Sequence, residues 1–484
     1  MTTGDIIPLS LANLDALPAQ VARPGYDRDD LTAGIVHIGV GNFHRAHMAV
    51  YLDQLFGTGK DHDWALLGAG VRPGDAAMRD RLKAQDCLST VVDLDPAGAS
   101  ARITAPMIDF LPVDAAVLVD ALSKPSIRIA SLTITEGGYY IDPLTNSFDT
   151  KHADIVADAA NPDAPRTVFG ILLAALRARR AAGTPPFTVL SCDNIPHNGN
   201  VTRGALVGLA AMSDPDLAAW IEAEVALPNG MVDCITPATG PAEIARVHAL
   251  GIDDKAPVTC EPFRQWVLED TFPQGRPALE DVGVEFVEDV LPYELMKLRL
   301  LNGLHAAMGY AGDLSGHGVV HDAVRDPVIR SWMLGIARRE IAPTLAPIPG
   351  VDYDAYLLKL LERFGNDAVR DTIPRLCFDG SNRQPKFIVP TLRDCLAAGG
   401  DARGLLLEVA LWREHVRTSD TFADPNADTV RKAAMGDPVT FLQMTEVFGD
   451  LAQNAVAVAG FEEACARIAS DGPRGAMIHD AERD

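Results

Sequence analysis

Short apolar runs alternating with helix-periodic stretches fill the first half of the chain, and few folds accommodate that pattern. Residues 35–40, 65–71, 127–135 and 187–191 are rich in aliphatic and β-branched side chains. Strands buried on both faces have this character, whereas strands buried on one face alternate apolar and polar residues. Between them, residues 44–55 and 167–182 space their apolar positions as a helix does. Strand–helix alternation of this kind predicts a parallel sheet covered by helices on both sides.

The pattern changes near residue 290. Residues 292–310, 326–342, 353–364, 404–416 and 441–458 place apolar side chains three and four apart, which predicts amphipathic helices. The chain therefore reads as an α/β domain over 1–290 followed by a mainly α-helical domain over 291–484. The tail, residues 472–484, is expected to fray.

Length and charge narrow the function. A chain of 484 residues, 48% hydrophobic and 22% charged, builds large cores without disulfides or a structural metal. Its net charge of −24 repels phosphate backbones and anionic lipid, so neither nucleic acid nor membrane is an expected partner. The seven cysteines are scattered, and no two stand at C-x-x-C spacing. That argues against a disulfide framework or a thiolate zinc site and fits a reducing compartment. Residues 1–24 lack a basic start followed by an apolar core, and no apolar run reaches the ~20 residues of a membrane span. A soluble cytoplasmic protein is expected, and the sequence leaves the oligomeric state open, a monomer included.

The first apolar run ends in a glycine turn, GIVHIGVGNFHRAH over residues 34–47. Gly39-x-Gly41 between a strand and a helix lets backbone N–H groups approach a pyrophosphate. Ile38, Gly39, Val40, Gly41, Asn42, Phe43, His44 and Arg45 are the candidate dinucleotide contacts. The third glycine of the usual fingerprint is missing, and His44 stands in its place. An ordinary strand-to-helix turn satisfies the same pattern, but its position opening an α/β half favours cofactor binding. After the second strand, Asp75 could accept the adenosine ribose hydroxyls and favour NAD, while Arg72 could instead accommodate a 2′-phosphate.

A second signal lies on the helix predicted over 292–310, where Lys297, Asn302 and His305 interrupt an apolar surface. On an α-helix Asn302 sits about 140° from Lys297 and His305 about 80°, so all three can project over one broad side. A buried lysine is costly to keep charged, as a base working near neutral pH requires, and an amide and an imidazole beside it can hold a substrate oxygen. The alternative is a lysine reaching solvent along its stem and a histidine satisfied in the core. Tyr293 and Lys297 also stand at the Y-x-x-x-K spacing of short-chain dehydrogenases, but nothing else matches that family.

Polar loops supply further candidates. Residues 191–199 carry Asn194 just past an apolar strand, where open α/β sheets form their binding crevice. Residues 228–237 place Asp233 inside an apolar run, and residues 375–386 read as a turn-rich basic loop with Arg375 and Arg383. Asn and Asp beside Pro and Gly also serve simply as turn formers.

Together, GIVHIGVGNFHRAH (34–47), TITEGGYY (133–140), SCDNIPHNG (191–199), PNGMVDCITP (228–237), KLRLLNGLHAAMGY (297–310) and DGSNRQPKF (379–387) closely resemble the polyol-specific long-chain dehydrogenases. The matches run in one order over roughly residues 34 to 390. The resemblance implies a Rossmann-type N-terminal domain, a helical C-terminal domain, and hydride transfer between NAD and a sugar alcohol without zinc, D-mannitol to D-fructose and back. In that reading Lys297 is the general base, Asn194 and Asn302 hold the reacting oxygen, and His305 orients the substrate. Asp233, Arg375 and Arg383 contact other hydroxyls. Ala306 departs from the serine often found after the histidine. No H-E-x-x-H occurs, and Gly316-His-Gly318 lacks the acid and cysteine of a zinc alcohol dehydrogenase site. Within the same family a hexuronate such as fructuronate, or arabinitol, is the alternative substrate. Outside it, the alternative is a nucleotide-binding sensor without turnover.

Overall fold

A computed structural model describes residues 6–142, 147–420 and 422–483. The chain forms two compact units that divide between Val290 and Leu291.

The first unit is organised by a five-stranded parallel sheet. Its strands are β1 (Ala33–Ile38), β2 (Ala65–Ala69), β3 (Met107–Phe110), β4 (Ile129–Leu132) and β5 (Thr188–Ser191). They lie in the order β3-β2-β1-β4-β5, all parallel. This is the doubly wound dinucleotide-binding order, whose switch point falls between β1 and β4. Ile38 pairs with Leu132 at the carboxyl ends of those two strands, so Gly39–Gly41 and Thr133–Thr135 leave the sheet side by side. Burial on both faces explains the apolar strands. Val36 and Ile38 join one core with Leu132, Phe169 and Leu172, while Ile35 and Val40 join another with Leu52, Leu66 and Trp266.

The helix predicted over 44–55 is two helices, α1 (Asn42–Ala46) and α2 (Met48–Gly57). His47 breaks them with φ −118° and ψ −91°, its ring held by the carbonyl of Gln265 at 2.9 Å and stacked on Phe43. Helix α3 (Val168–Ala182) starts where the sequence indicates, because the Thr167 hydroxyl accepts the Gly170 N–H.

The second unit is helical among its described residues. Helix α4 (Leu291–Met296) passes through a π-helical segment, Lys297–Asn302, into α5 (Gly303–Leu314). Helix α6 (Pro327–Ile336) is capped by Asp326 and also runs into a π turn, Ala337–Ile341. Helix α7 spans Tyr353–Phe364. The loop predicted over 375–386 is instead α8 (Ile373–Cys377) and α9 (Gly380–Phe387), joined through Asp379 at φ 63°. Tertiary anchors override the local turn chemistry, since Ser381 is fixed to Asp424 through both its N–H and its hydroxyl. Helix α10 (Arg403–Thr418) contains the apolar stretch read at 404–416.

Two further expectations fail. Residues 441–458 are not one helix: Pro438–Leu442 and Thr445–Phe448 are short helices that stop at Gly449, and α11 (Ala455–Ala481) begins on an Asn454 cap. Residues 472–483 do not fray, and Asp484 lies outside the described residues. Helix α11 continues past a kink at Gly472, Met477 is fully buried, and Arg483 pairs with Glu340 and with Asp401 at 2.7 Å. A buried acid that needs a cation holds the terminus down. Among the described residues no helix is long and apolar enough to cross a membrane.

Candidate active site

In the first unit, the β1–β4 switch point opens into a cavity of about 430 Å³. Its walls include Ile38 to Gly41, Arg72, Asp75, and Thr133 to Thr135. The two glycines are required for different reasons. Gly39 has φ +97°, and a Cβ there would lie 2.1 Å from the Thr133 carbonyl oxygen, so the protein itself demands glycine. A Cβ on Gly41 would meet nothing closer than 3.9 Å. Internal packing leaves that position open, as a ligand lying against the backbone would need.

The missing third glycine has a structural answer. His44 lies flat on His37 of β1, ring centroids 3.4 Å apart, both rings buried. His37 is held by the hydroxyls of Ser131 at 2.8 Å and Thr133 at 2.9 Å. Close helix–strand contact is thus made by two stacked imidazoles. Burial holds His37 down to about 3 and His44 well below its ordinary value, so both are neutral.

Of the other proposed cofactor contacts, Arg45 turns inward. It is buried, lowered to about 10 by desolvation, and donates to the Ala256 carbonyl and to Asn42 at 2.8 Å. The Asn42 amide donates to Thr239 at 3.0 Å, and Phe43 stacks on His47. The side chains of these three residues and His44 are therefore committed within the protein, leaving their backbone to meet a ligand. Asp75 lines the cavity, with one carboxylate oxygen accepting the N–H groups of Val71 and Arg72 at 2.9 Å. Asp154, Arg166 and Thr167 also line it, contributed by segments remote in sequence whose local pattern carries no signal. Asn194 is exposed just beyond β5, and Asp233 is buried at the end of the strand Gly230–Asp233.

In the second unit, Lys297 is 6% exposed, Asn302 half-buried and His305 7% exposed. The π turn changes their geometry. Hydrogen bonds of i→i+5 type add a residue to the turn, so Lys297 and Asn302, five apart, come closer to one line than the 140° of an α-helix. His305 stacks on Phe364 of α7 at 4.1 Å, and its Nε2 has no hydrogen-bond partner among the described residues. Burial pushes this imidazole down to about 3, helped by the charges of Arg375, Arg383 and Arg363 and opposed by Asp371. Arg375 and Arg383 are thus brought within electrostatic reach of His305. Arg375 is paired with Asp371, its Nε 2.6 Å from a carboxylate oxygen, and Arg383 donates to the Leu376 carbonyl. Asp371 and Phe364 were invisible as site residues in the sequence. Among the described residues no group of three or more His, Cys, Asp or Glu side chains could hold a metal ion.

The Rossmann-domain model of mannitol dehydrogenase matches residues 33–281, and the C-terminal-domain model of the same enzyme matches 289–469. The mannitol 2-dehydrogenase of Cereibacter sphaeroides is 56% identical over 463 residues, covering 93% of this chain and 97% of that protein. That of Phaeosphaeria nodorum is 40% identical, covering 97% and 84%. Among solved structures, Pseudomonas fluorescens mannitol 2-dehydrogenase in ternary complex with NAD and D-mannitol superposes with a TM-score of 0.86 at 42% identity, covering 99% of this chain and 100% of that one. A substrate-free D-sorbitol dehydrogenase gives 0.90 at 35%, covering 97% and 100%.

Proposed function

The chain belongs to the mannitol dehydrogenase family, and we propose that it is an NAD-dependent polyol dehydrogenase that interconverts D-mannitol and D-fructose with Lys297 as general base. The carrying observation is the pairing of a buried lysine with a half-buried amide on one π turn, one helical turn before a neutral buried histidine. The 56% identity to a mannitol 2-dehydrogenase and the likeness to a mannitol 2-dehydrogenase holding NAD and D-mannitol support the same reading.

The cavity at the switch point fits the dinucleotide: Gly39 and Gly41 present bare backbone, and Asp75 keeps one carboxylate oxygen for ribose hydroxyls. A dinucleotide held there would supply the acceptor for the hydride of the carbinol carbon. Lys297 Nζ takes the hydroxyl proton, in a position shielded from bulk water. The Asn302 and Asn194 amides donate to the oxygen as its charge grows. His305 stays neutral at any working pH, so its open Nε2 can meet a substrate hydroxyl without placing a cation beside the base. No step in this scheme requires zinc. Asp233, Arg375 and Arg383 are assigned to the remaining hydroxyls. In this proposal the first unit carries the cofactor, the second carries the base, and a reducing cytoplasm suits seven free cysteines.

A hexuronate needs a cation for its carboxylate. Arg375 already faces Asp371 and Arg383 is tied to the Leu376 carbonyl, so neither is arranged as a two-arginine clamp, which favours an uncharged polyol. The test is NAD reduction followed with D-mannitol, D-sorbitol and D-arabinitol, and NADH oxidation with fructuronate, each repeated with a chelator. Mannitol-dependent, chelator-resistant reduction is expected. Activity on fructuronate alone overturns the substrate assignment, and loss of activity with chelator overturns the metal-free mechanism.

A further inference from the structure

The carboxylate of Asp193, next to Asn194 in sequence, is spent on a different segment. One oxygen accepts the Ile134 N–H at 2.8 Å and the Tyr139 hydroxyl at 2.7 Å, and the other accepts the Thr135 N–H at 3.0 Å. Those donors belong to residues 133–140, which leave β4 and form part of the cofactor cavity's wall through Thr133, Ile134, Thr135, Gly138 and Tyr140. That wall is strained. Thr135 sits at φ 63° and ψ 162°, a conformation a β-branched residue adopts only when its surroundings impose it, and Tyr140 is left-handed at φ 52°. The residue holding the Thr135 N–H is Asp193.

The other side of Asp193 is fixed too. Its carbonyl accepts the Asn198 amide at 3.2 Å, and that same amide reaches the Gly230 carbonyl at 2.8 Å, at the head of the strand ending in Asp233. Tyr139 is fully buried and also bonds Ser191, the last residue of β5, at 2.6 Å. One hydrogen-bonded network therefore runs from the cavity wall through Asp193 to the backbone flanking Asn194. Charge–charge attraction does not account for this carboxylate, since its hydrogen-bond partners among the described residues are backbone N–H groups and one hydroxyl.

We propose that Asp193 is a positioning residue that ties the wall of the cofactor cavity to Asn194, so that seating the dinucleotide and aiming the amide are set by one clamp. This rests on the polyol dehydrogenase reading above. Misplacing a reacting group by about 1 Å costs on the order of a hundredfold in rate, so a loosened clamp should be visible in turnover without any change to the residues that touch substrate.

The experiment uses the full-length enzyme with Asp193→Asn and Tyr139→Phe. Asparagine offers one acceptor oxygen where three donors converge, and phenylalanine keeps the buried ring while removing one donor. NAD affinity is read by titration of protein fluorescence, and kcat and KM by steady-state kinetics. The primary isotope effect comes from carbon-deuterated mannitol, and folding from thermal unfolding. For Asp193→Asn the expected result is a kcat lower by about tenfold to a hundredfold, weaker NAD binding, a larger isotope effect, and a KM for mannitol within about twofold. Tyr139→Phe should move the same quantities in the same direction by less. A lower melting temperature with kcat and NAD affinity within about twofold of wild type per folded molecule would make Asp193 merely structural and overturns the proposal. Should Asp193→Asn not fold, unchanged kinetics in Tyr139→Phe overturns it instead. A wild-type enzyme silent on every polyol overturns the functional reading, and the NAD titration still decides this one: unchanged affinity in both variants overturns the clamp.

Discussion

The imidazole of His44 lies on that of His37 with ring planes 17° from parallel, and neither ring of this pair carries a charge in the folded protein. In the unfolded chain each histidine takes a proton below about 6.5, whereas burial holds His37 and His305 at about 3. Between those values the unfolded state binds more protons, so stability is complete above about 6.5 and falls as pH drops towards 3. Each of these histidines steepens that fall by up to about 1.4 kcal/mol per pH unit. Denaturant unfolding at pH 7.5, 6, 5 and 4 should show midpoints declining from pH 6 downward; a flat profile would contradict the buried neutral assignment.

The two glycines of the turn should separate cleanly. Gly39→Ala meets the Thr133 carbonyl and a left-handed backbone, and is expected to lose at least about 1–3 kcal/mol of stability. Gly41→Ala has room within the protein, so its melting temperature should stay near wild type while NAD affinity falls about tenfold or more. Equal NAD affinity in a well-folded Gly41→Ala protein would remove the cavity as the dinucleotide site.

Lys297→Ala is expected to lower turnover by several orders of magnitude while NAD titration remains normal, because the lysine lies outside the unit that holds the dinucleotide. Asn302→Ala should cost roughly 2.7–4 kcal/mol of transition-state stabilisation if its amide meets the developing alkoxide. A loss confined to KM would make Asn302 a binding residue.

Glu408 of α10 is fully buried, with Gln384 of α9 donating to it at 2.8 Å, and burial pushes its carboxyl up to about 8. Here the folded state keeps a proton the unfolded chain gives up near 4.5, so this group weakens the fold as pH rises from 4.5 to 8. Glu408→Gln removes that slope. Its melting temperature should match wild type at pH 5 and exceed it at pH 8.5, as scanning calorimetry at both values would show. Although Gln384 lies one residue from Arg383, the substituted side chain keeps an acceptor oxygen for the Gln384 amide, so substrate KM should change little in the same variant at pH 7.

Both strands and cofactor turn were legible because their patterns are local. Buried parallel strands announce themselves as apolar runs, and the helix over residues 353–364 appears as Tyr353–Phe364. What escaped depends on partners distant in the chain. Nothing within residues 375–386 reports that Asp424 and Glu408 hold that segment helical, and nothing in the tail reports Glu340 waiting for Arg483. The cofactor cavity was half legible: Gly39 and Gly41 declare themselves, whereas Asp154, Arg166 and Thr167 reach it only through the fold. Lys297, Asn302 and His305 were visible as a set, but their angles were not, since a 100° step assumes an α-helix throughout.

The π turn at Lys297–Asn302 carries one more residue than an α turn of equal height. Straightening it into regular α geometry with every residue kept would leave α4 and α5 joined, yet swing the lysine and the amide apart by about a quarter turn. A descendant whose substitutions regularised the turn would still align without a gap with active relatives and would keep its dinucleotide cavity. Overall identity would then overstate its catalytic competence, and the i→i+5 hydrogen bonding of this one turn would be the better marker of an intact site.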